Sequence, residues 1–178
     1  MKQGLAGIAV TIVFLLMAAG VFIYSGVYNV AATNDDSAVV RWILHTTREQ
    51  SIERRAEGVR PPEDAVLSDP ETIRIGFKHY DEMCVHCHGA PGANPGELRE
   101  GLNPKPPLLV DHAEAVPLQE LFWVIKHGIK MTGMPAWGVT HSDDEIWAIA
   151  AFVKKLPDYS ARDYQDMRHR VADSRRHG

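Results

Sequence analysis

The sequence predicts an all-α fold, and three observations lead to that prediction. Residues 4–24 are apolar and uncharged almost throughout, and a run of about 20 such residues is long enough to cross a bilayer as a helix. Apolar residues recur at helical spacing, beside helix start or stop signals, over residues 70–84, 117–128 and 142–156. No strand–helix–strand pattern is visible. We expect one membrane span, one neck helix and a domain of about three to five helices.

Length and composition set broad limits. The chain has 178 residues and a formal net charge of −4, which suits one compact domain with additional segments and gives no indication of nucleic-acid binding. No internal repeat or low-complexity tract is present. The sequence predicts four segments: a transmembrane anchor at 1–30, a neck helix with a Pro-containing linker at 31–68, a compact domain at 69–157, and a polar, mobile tail at 158–178.

The apolar run from Gly4 to Tyr24 favours an uncleaved membrane anchor. Lys2 precedes the run and Asp35 follows it, so the positive-inside rule puts the amino terminus in the cytoplasm and the rest of the chain outside. The alternative is a cleaved signal peptide with its cleavage site at Val30-Ala31-Ala32. The run is too long for a signal-peptide core of about 7–15 residues.

The neck begins with a predicted helix from about Ser37 to Glu57. Its apolar residues, among them Trp42, crowd the first two turns, and the remainder is polar. This pattern allows two interpretations, a spacer between membrane and domain or a docking helix for a larger membrane complex with Trp42 as the anchor residue. Gly58 ends the helix, and residues 61–68 form a semi-rigid linker.

Helix boundaries in the domain are signalled by caps. Asp69-Pro70-Glu71 combines an N-cap acid with proline at the first helical position and starts a helix that we expect to reach about Cys84. A second helix precedes Gly128, the glycine at its carboxyl end. Ser142-Asp143-Asp144-Glu145 is a capping box, and it starts a helix that runs to about Leu156.

The segment Cys84-Val85-His86-Cys87-His88 is a C-x-x-C-H motif, the attachment signature of c-type haem. Cys84 and Cys87 lie on one side of a helical turn, where both thiols can add to the vinyl groups of one porphyrin. His88 then offers an imidazole nitrogen to the iron. A zinc knuckle needs two further ligands at close spacing, and the chain has no other cysteine. A thioredoxin-like pair needs a strand–helix–strand context, which is not visible.

Met134 is the predicted second axial ligand. It lies in the segment Gly133-Met134-Pro135, where proline keeps the chain extended, and a thioether is a soft ligand that raises the potential of haem iron. Met131 is the fallback candidate. The Gly- and Pro-rich stretch at residues 89–108 is expected to be an ordered loop over the haem edge.

Residues 69–157 resemble class I cytochromes c, the small electron carriers with one haem and Met/His ligation, here with the membrane anchor found in some bacterial members. In that family a glycine and an aromatic residue before the haem motif cross an aliphatic and an aromatic residue of the last helix; Gly76, Tyr80, Ile149 and Phe152 match these positions. The resemblance also implies a backbone carbonyl that bonds the proximal imidazole. Three prolines are candidates for it: Pro104, Pro106 and Pro107.

The sequence thus predicts a membrane-anchored carrier of single electrons that contains one covalent haem c and no catalytic residue. It would serve a respiratory or photosynthetic chain on the periplasmic side of a bacterial inner membrane, as tethered carrier or as fixed subunit. Its partners would be redox proteins of a membrane complex, such as a quinol-oxidising complex, dehydrogenase, oxidase or reductase, with no small-molecule substrate.

Two other classes stay open. A haem-based sensor or gas-binding protein would require a labile Met134. A peroxidase-type enzyme would require a distal acid–base pair, for which His127 and His141 are the candidates beside the methionine segment.

Overall fold

The computed structural model describes residues 2–176. Met1, which the sequence assigned to the anchor, and residues 177–178, which it assigned to the tail, lie outside the described residues. The chain forms two compact units, Met1–Asp35 and Asp36–Gly178. Helices account for both units, and no β-strand occurs among residues 2–176 apart from an isolated bridge between Ala90 and Ala93. The predicted all-α fold is confirmed.

The first unit contains one helix, α1, at Lys2–Ser25. Within the described part of the chain, its segment Gly4–Ser25 is the one helix long and apolar enough to cross a membrane, and none of that segment is buried within the protein. Its large apolar side chains, such as Leu16 and Phe22, face outward on all sides. A helix that is apolar all round suits a lipid environment.

The second unit is built from helices that enclose an aromatic core. Its α-helices are α2 at Ala38–Ala56, α3 at Asp64–Ser68, α4 at Pro70–His79, α5 at Val85–His88, α6 at Glu97–Glu100, α7 at Leu109–His112, α8 at Leu118–His127, α9 at Asp143–Lys155 and α10 at Ala161–Arg176. A π-helical turn, Tyr80–Cys84, joins α4 to α5. Short 3₁₀ turns occur at Ala113–Ala115, Trp137–Val139 and Leu156–Asp158.

Helix α2 stands where the sequence predicts the neck helix, and it packs on α8 of the same unit. The Ser37 hydroxyl accepts from the Val40 N–H and caps its start. Ile52 and Ala56 are buried. The predicted linker that follows contains the short helix α3. The second half of α2 is therefore attached to the domain.

The crossing of α4 and α9 forms the centre of the domain. A Cβ atom on Gly76 would overlap the main-chain carbonyl of Ala148 and lie 2.8 Å from Phe152 Cβ. Tyr80 and Phe152 meet with ring centroids 5.4 Å apart, and Ile149 is fully buried beside them. The crossing expected from the cytochrome resemblance is confirmed, because a side chain at position 76 would push the two backbones apart.

Polar contacts fix the ends of α9. The Ser142 hydroxyl accepts from the Glu145 N–H at 3.3 Å, and Glu145 accepts from the Ser142 N–H at 2.8 Å, as the predicted capping box requires. Near the carboxyl end, Lys154 Nζ donates to three carbonyls at the 3₁₀ turn before α8: those of Ala113, Glu114 and Val116. The ammonium group ties this turn to α9.

The structure differs from the sequence prediction at the carboxyl end. We expected residues 158–178 to be a polar tail without an apolar period, but Ala161–Arg176 form α10. Tyr164 and Val171 are buried, and Met167 packs against the same core. These residues recur at intervals of three and four, so α10 has a narrow apolar face. The long polar face hid that period.

Gly76→Ala should lower the free energy of unfolding by about 3 kcal/mol, because the added methyl group meets rigid backbone of α9 rather than a side chain that can move. Chemical denaturation followed by circular dichroism measures this change. Gly58→Ala is the matched control, since a Cβ at Gly58 has no heavy atom within 4 Å. Equal stability of the two variants would contradict the close crossing.

Candidate functional site

The motif Cys84–His88 lies at the carboxyl end of the long helical stretch that begins with α4. Cys84 is the last residue of the π-helical turn, and Cys87 and His88 belong to the next turn, α5. Both thiols are free; Cys84 is buried and Cys87 half-buried. π-helical turns are rare and are frequently found at functional sites, because they rotate the residues that follow relative to a regular helix.

The end of the motif is held by Tyr80 and Gly89. The Tyr80 hydroxyl donates to the Gly89 carbonyl at 2.6 Å, and the Gly89 N–H donates to the Val85 carbonyl at 2.9 Å. Gly89 has φ +68°, a conformation that glycine adopts without strain. The buried phenol therefore fixes the point where the chain leaves α5.

His88 is oriented by the proline-rich loop. Its Nδ1 lies 2.9 Å from the Pro107 carbonyl oxygen, so Nδ1 carries the proton and donates, and Nε2 is left as the metal-binding nitrogen. Pro107 is thus the one of the three candidate prolines that supplies the carbonyl. The Arg99 Nε donates to the neighbouring Pro106 carbonyl at 3.0 Å and stabilises the same segment of the loop.

Burial governs the protonation of the groups in the motif. It lowers the pKa of His88, with a smaller effect of the Arg99 charge in the same direction and an opposing effect of the Pro107 bond. The ring is therefore neutral near pH 7, as a metal ligand must be. Burial also raises the pKa of the Cys84 thiol to about 12, and the nearby Cys87 adds to the effect. This thiol stays protonated in the protein alone.

The main chain of Met134 is fixed on both sides. Its N–H donates to the Thr132 hydroxyl at 3.1 Å, and its carbonyl accepts from the Ile129 N–H at 3.2 Å. The Thr132 hydroxyl in turn donates to the Ile129 carbonyl at 2.8 Å. Gly128, with φ +64°, lets the backbone of Met134 and Pro135 approach: a Cβ there would lie 2.7 Å from each. The thioether is thus presented from a rigid turn.

The loop at residues 89–108 contacts His88 and the residue next to Met134. A Cβ on Gly133 would lie 2.6 Å from a Leu102 methyl group, and five residues later the Pro107 carbonyl meets His88. Sequence reasoning missed Arg99, Leu102 and Thr132. Of these, Thr132 had a readable signal, because a threonine two residues before Met134 is typical of a local side-chain turn.

The fallback ligand and the two candidate distal histidines have other surroundings. Met131 is 96% exposed with φ +61°, and His127 lies beside the Trp123 ring with centroids 4.9 Å apart. His141 Nδ1 lies 2.9 Å from the Thr140 hydroxyl, and its ring meets that of His79 edge to face. Contacts with neighbouring side chains therefore explain the position of each of the two histidines.

The donor set fits a haem c. Two thiols on successive turns can form two thioethers, a neutral imidazole with its Nδ1 occupied offers Nε2, and a half-buried Met134 offers sulfur from a hydrogen-bonded turn. Imidazole and thioether are the intermediate and soft ligands that suit haem iron.

Comparison with known proteins agrees with this chemistry. Residues 71–153 match the model of a family described as cytochrome c oxidase, cbb3-type, subunit III. The match covers just under half of the chain, from the first turn of α4 to the last turns of α9. No curated protein matches the chain.

The fold and the family match define the class of this domain. Residues 71–153 form a class I c-type cytochrome domain, which implies haem c as cofactor and electron transfer as its role. It is an electron carrier and not an enzyme.

Thr132→Val should reduce the free energy of unfolding by about 1–3 kcal/mol, since it leaves the half-buried Met134 N–H and Ile129 carbonyl without the hydroxyl that serves both. Guanidinium denaturation measures the change. Thr132→Ser keeps the hydroxyl and should stay close to the parent protein. If the serine and valine variants were equally stable, the hydroxyl would have no part in holding this turn.

Proposed function

We propose that the protein is a membrane-anchored monohaem c-type cytochrome that passes single electrons between components of a respiratory or photosynthetic chain. The haem domain would work on the periplasmic side of a bacterial inner membrane, with α1 as a single-pass anchor. The length and apolar surface of α1 support the anchor. The assembly of c-type cytochromes outside the bacterial cytoplasm supports the sidedness.

In this proposal Cys84 and Cys87 bind one haem covalently, and His88 and Met134 are the axial ligands. The observation that carries the proposal is the bond between His88 Nδ1 and the Pro107 carbonyl. A half-buried imidazole in a C-x-x-C-H motif, neutral and fixed by a main-chain acceptor, has the tautomer and orientation of a proximal ligand.

A bound haem c supplies a one-electron couple between ferrous and ferric iron. The residues of the chain then have three tasks: they hold the group, fill both axial positions, and limit rearrangement when the charge changes. His88 is restrained through Pro107, and Met134 is restrained through Thr132 and Ile129. Rigid ligands on both faces favour electron transfer over binding of a substrate at the metal.

The same restraint argues against a gas sensor. A sensor would need Met134 to leave the iron when a small ligand arrives. Its N–H and carbonyl are both hydrogen-bonded within one turn, and Gly128 packs against the following peptide. The backbone therefore cannot carry the thioether away from the iron without rupture of that turn.

Met134→Ala should keep its haem through denaturation, lower the midpoint potential on the order of 0.1 V or more, and bind carbon monoxide when reduced. Loss of a thioether ligand favours ferric iron, since axial ligands spread haem potentials over about 0.8 V. Optical redox titration and difference spectra measure both effects. Met131→Ala is the matched control and should behave as the parent. A parental potential in Met134→Ala would exclude Met134 as the ligand.

Helix α2 favours the fixed-subunit form of this function over a freely moving carrier. Its second half packs on α8 and has Ile52 and Ala56 buried, whereas Val39, Trp42 and Ile43, on one face of its first two turns, are 48–67% exposed. A cluster of exposed apolar side chains on one short segment is typical of a protein contact. We propose that this segment docks on a membrane complex that exchanges electrons with the haem domain.

Trp42→Ala should reduce recovery of the protein with its native complex in mild detergent, because the largest apolar side chain of the docking segment is removed. Blue native gels with haem staining measure the fraction in complex. Val66→Ala changes an exposed apolar residue outside this segment and serves as the control. Recovery of the parent protein as a lone monomer would support the carrier form instead.

A further inference from the structure

Helix α10 lies outside the family match, which ends at residue 153. It nevertheless contacts the chain on both sides of the motif Cys84–His88. One contact is with Asp81, three residues before the first cysteine, and another is with Gly92, four residues after His88.

Before the motif, two side chains of α10 form hydrogen bonds to the partly buried carboxylate of Asp81. The Tyr164 hydroxyl donates to Asp81 Oδ1 at 2.9 Å, and Arg168 Nε lies 3.0 and 3.1 Å from Oδ1 and Oδ2. Arg168 Nη2 makes a further bond to Oδ1. The guanidinium also stacks over the Tyr164 ring, 5.4 Å from its centroid. Asp81 belongs to the π-helical turn, so these bonds restrain the turn that places Cys84.

The contact after the motif involves the start of α10. A Cβ on Gly92 would lie 2.6 Å from Ala161 Cβ, and Gly92 has φ +70°. Only glycine fits this position on both grounds. The turn at Ala90–Ala93, closed by two backbone bonds of 2.9 Å, therefore rests directly against the first residue of α10.

Apolar packing and a cap make α10 a firm support. The Tyr164 ring is 1% exposed and meets Phe77 of α4 with centroids 5.1 Å apart. Val171 is also buried. Ser160 caps the start, since its hydroxyl accepts from the Asp163 N–H at 3.2 Å while Asp163 accepts from the Ser160 N–H at 3.1 Å. The helix thus has its own start signal and its own share of the core.

We propose that α10 is a positioning clamp that holds the haem-attachment segment from both sides and so fixes the orientation of His88. This inference rests on the proposed function of Cys84, Cys87 and His88. Tyr164 and Arg168 are its positioning residues. They restrain the segment where it enters the motif, Ala161 restrains it where it leaves, and the Pro107 bond restrains the ring itself.

The physical effect follows from the π-helical turn. Such a turn has weaker internal bonding than an α-helix, so neighbouring contacts decide whether it persists. If the bonds to Asp81 are lost, the turn gains freedom and the segment opens locally without unfolding of the whole domain. Arg168 also compensates the charge of Asp81, and its loss would leave a carboxylate beside the motif that favours ferric iron.

The test compares Y164F/R168Q with R162Q in the full-length, haem-containing protein. Arg162 lies exposed on the same helix. The double variant and R162Q each lose one positive charge, so the two proteins have the same net charge. In Y164F/R168Q we expect amide hydrogen exchange over residues 80–93 to be about tenfold faster, the factor that one charge-assisted bond supplies. We also expect a midpoint potential below that of R162Q. Y164F alone keeps the ring on Phe77 and should give a smaller change in the same direction.

Several outcomes would overturn the clamp. Exchange and potential equal to those of R162Q would do so. Faster exchange spread evenly over α4, α8 and α9, or faster local exchange with an unchanged potential, would give α10 a purely structural role. Loss of haem from the parent protein on denaturation would refute the proposed function itself. A parent with covalent haem beside a variant that matches R162Q refutes the clamp alone.

Discussion

The close crossing of α4 and α9 at Gly76 is the constraint on which the rest of the domain depends. It brings the backbones together because position 76 has no side chain, and it leaves Tyr80 and Phe152 in ring contact one turn further on. The motif begins four residues after Tyr80, so its place in the domain is inherited from the crossing. The Tyr80 hydroxyl then binds the Gly89 carbonyl and fixes the other end of the motif as well.

From that fixed motif, the polar contacts spread outward in a definite order. His88 bonds to the Pro107 carbonyl, and Leu102 of the same loop contacts Gly133. The Thr132 hydroxyl closes the turn before Met134. Candidate ligands far apart in sequence are thereby supported by one loop. Such support suits an electron carrier, because rigidly held ligands move little when the iron is oxidised.

Much of the fold could be predicted from sequence because its signals are local. The cap at Asp69-Pro70, the capping box at Ser142 and the C-x-x-C-H motif each lie within a few residues and have one strong interpretation. Gly76 could be placed only because a family resemblance supplied its partner. The haem ligands Cys84, Cys87, His88 and Met134 remain predictions, since they concern a group that joins the protein after synthesis.

The features that were missed depend on contacts distant in sequence. Arg168 and Asp81 are 87 residues apart, and nothing near either residue indicates the other. The choice among three prolines was equally inaccessible, because it depends on the path of a loop. At α10 the failure was of another kind: Ser160 and Asp163 form a readable cap, but the strongly polar face outweighed the narrow apolar one.

The bond between His88 and Pro107 has a consequence for how this domain tolerates sequence drift. The acceptor is a main-chain carbonyl, so a different residue at position 107 keeps the acceptor as long as the loop follows the same path. The prolines and the Arg99 bond to the Pro106 carbonyl maintain this path. Two descendants of this chain can therefore differ at position 107 and still hold the imidazole in the same way.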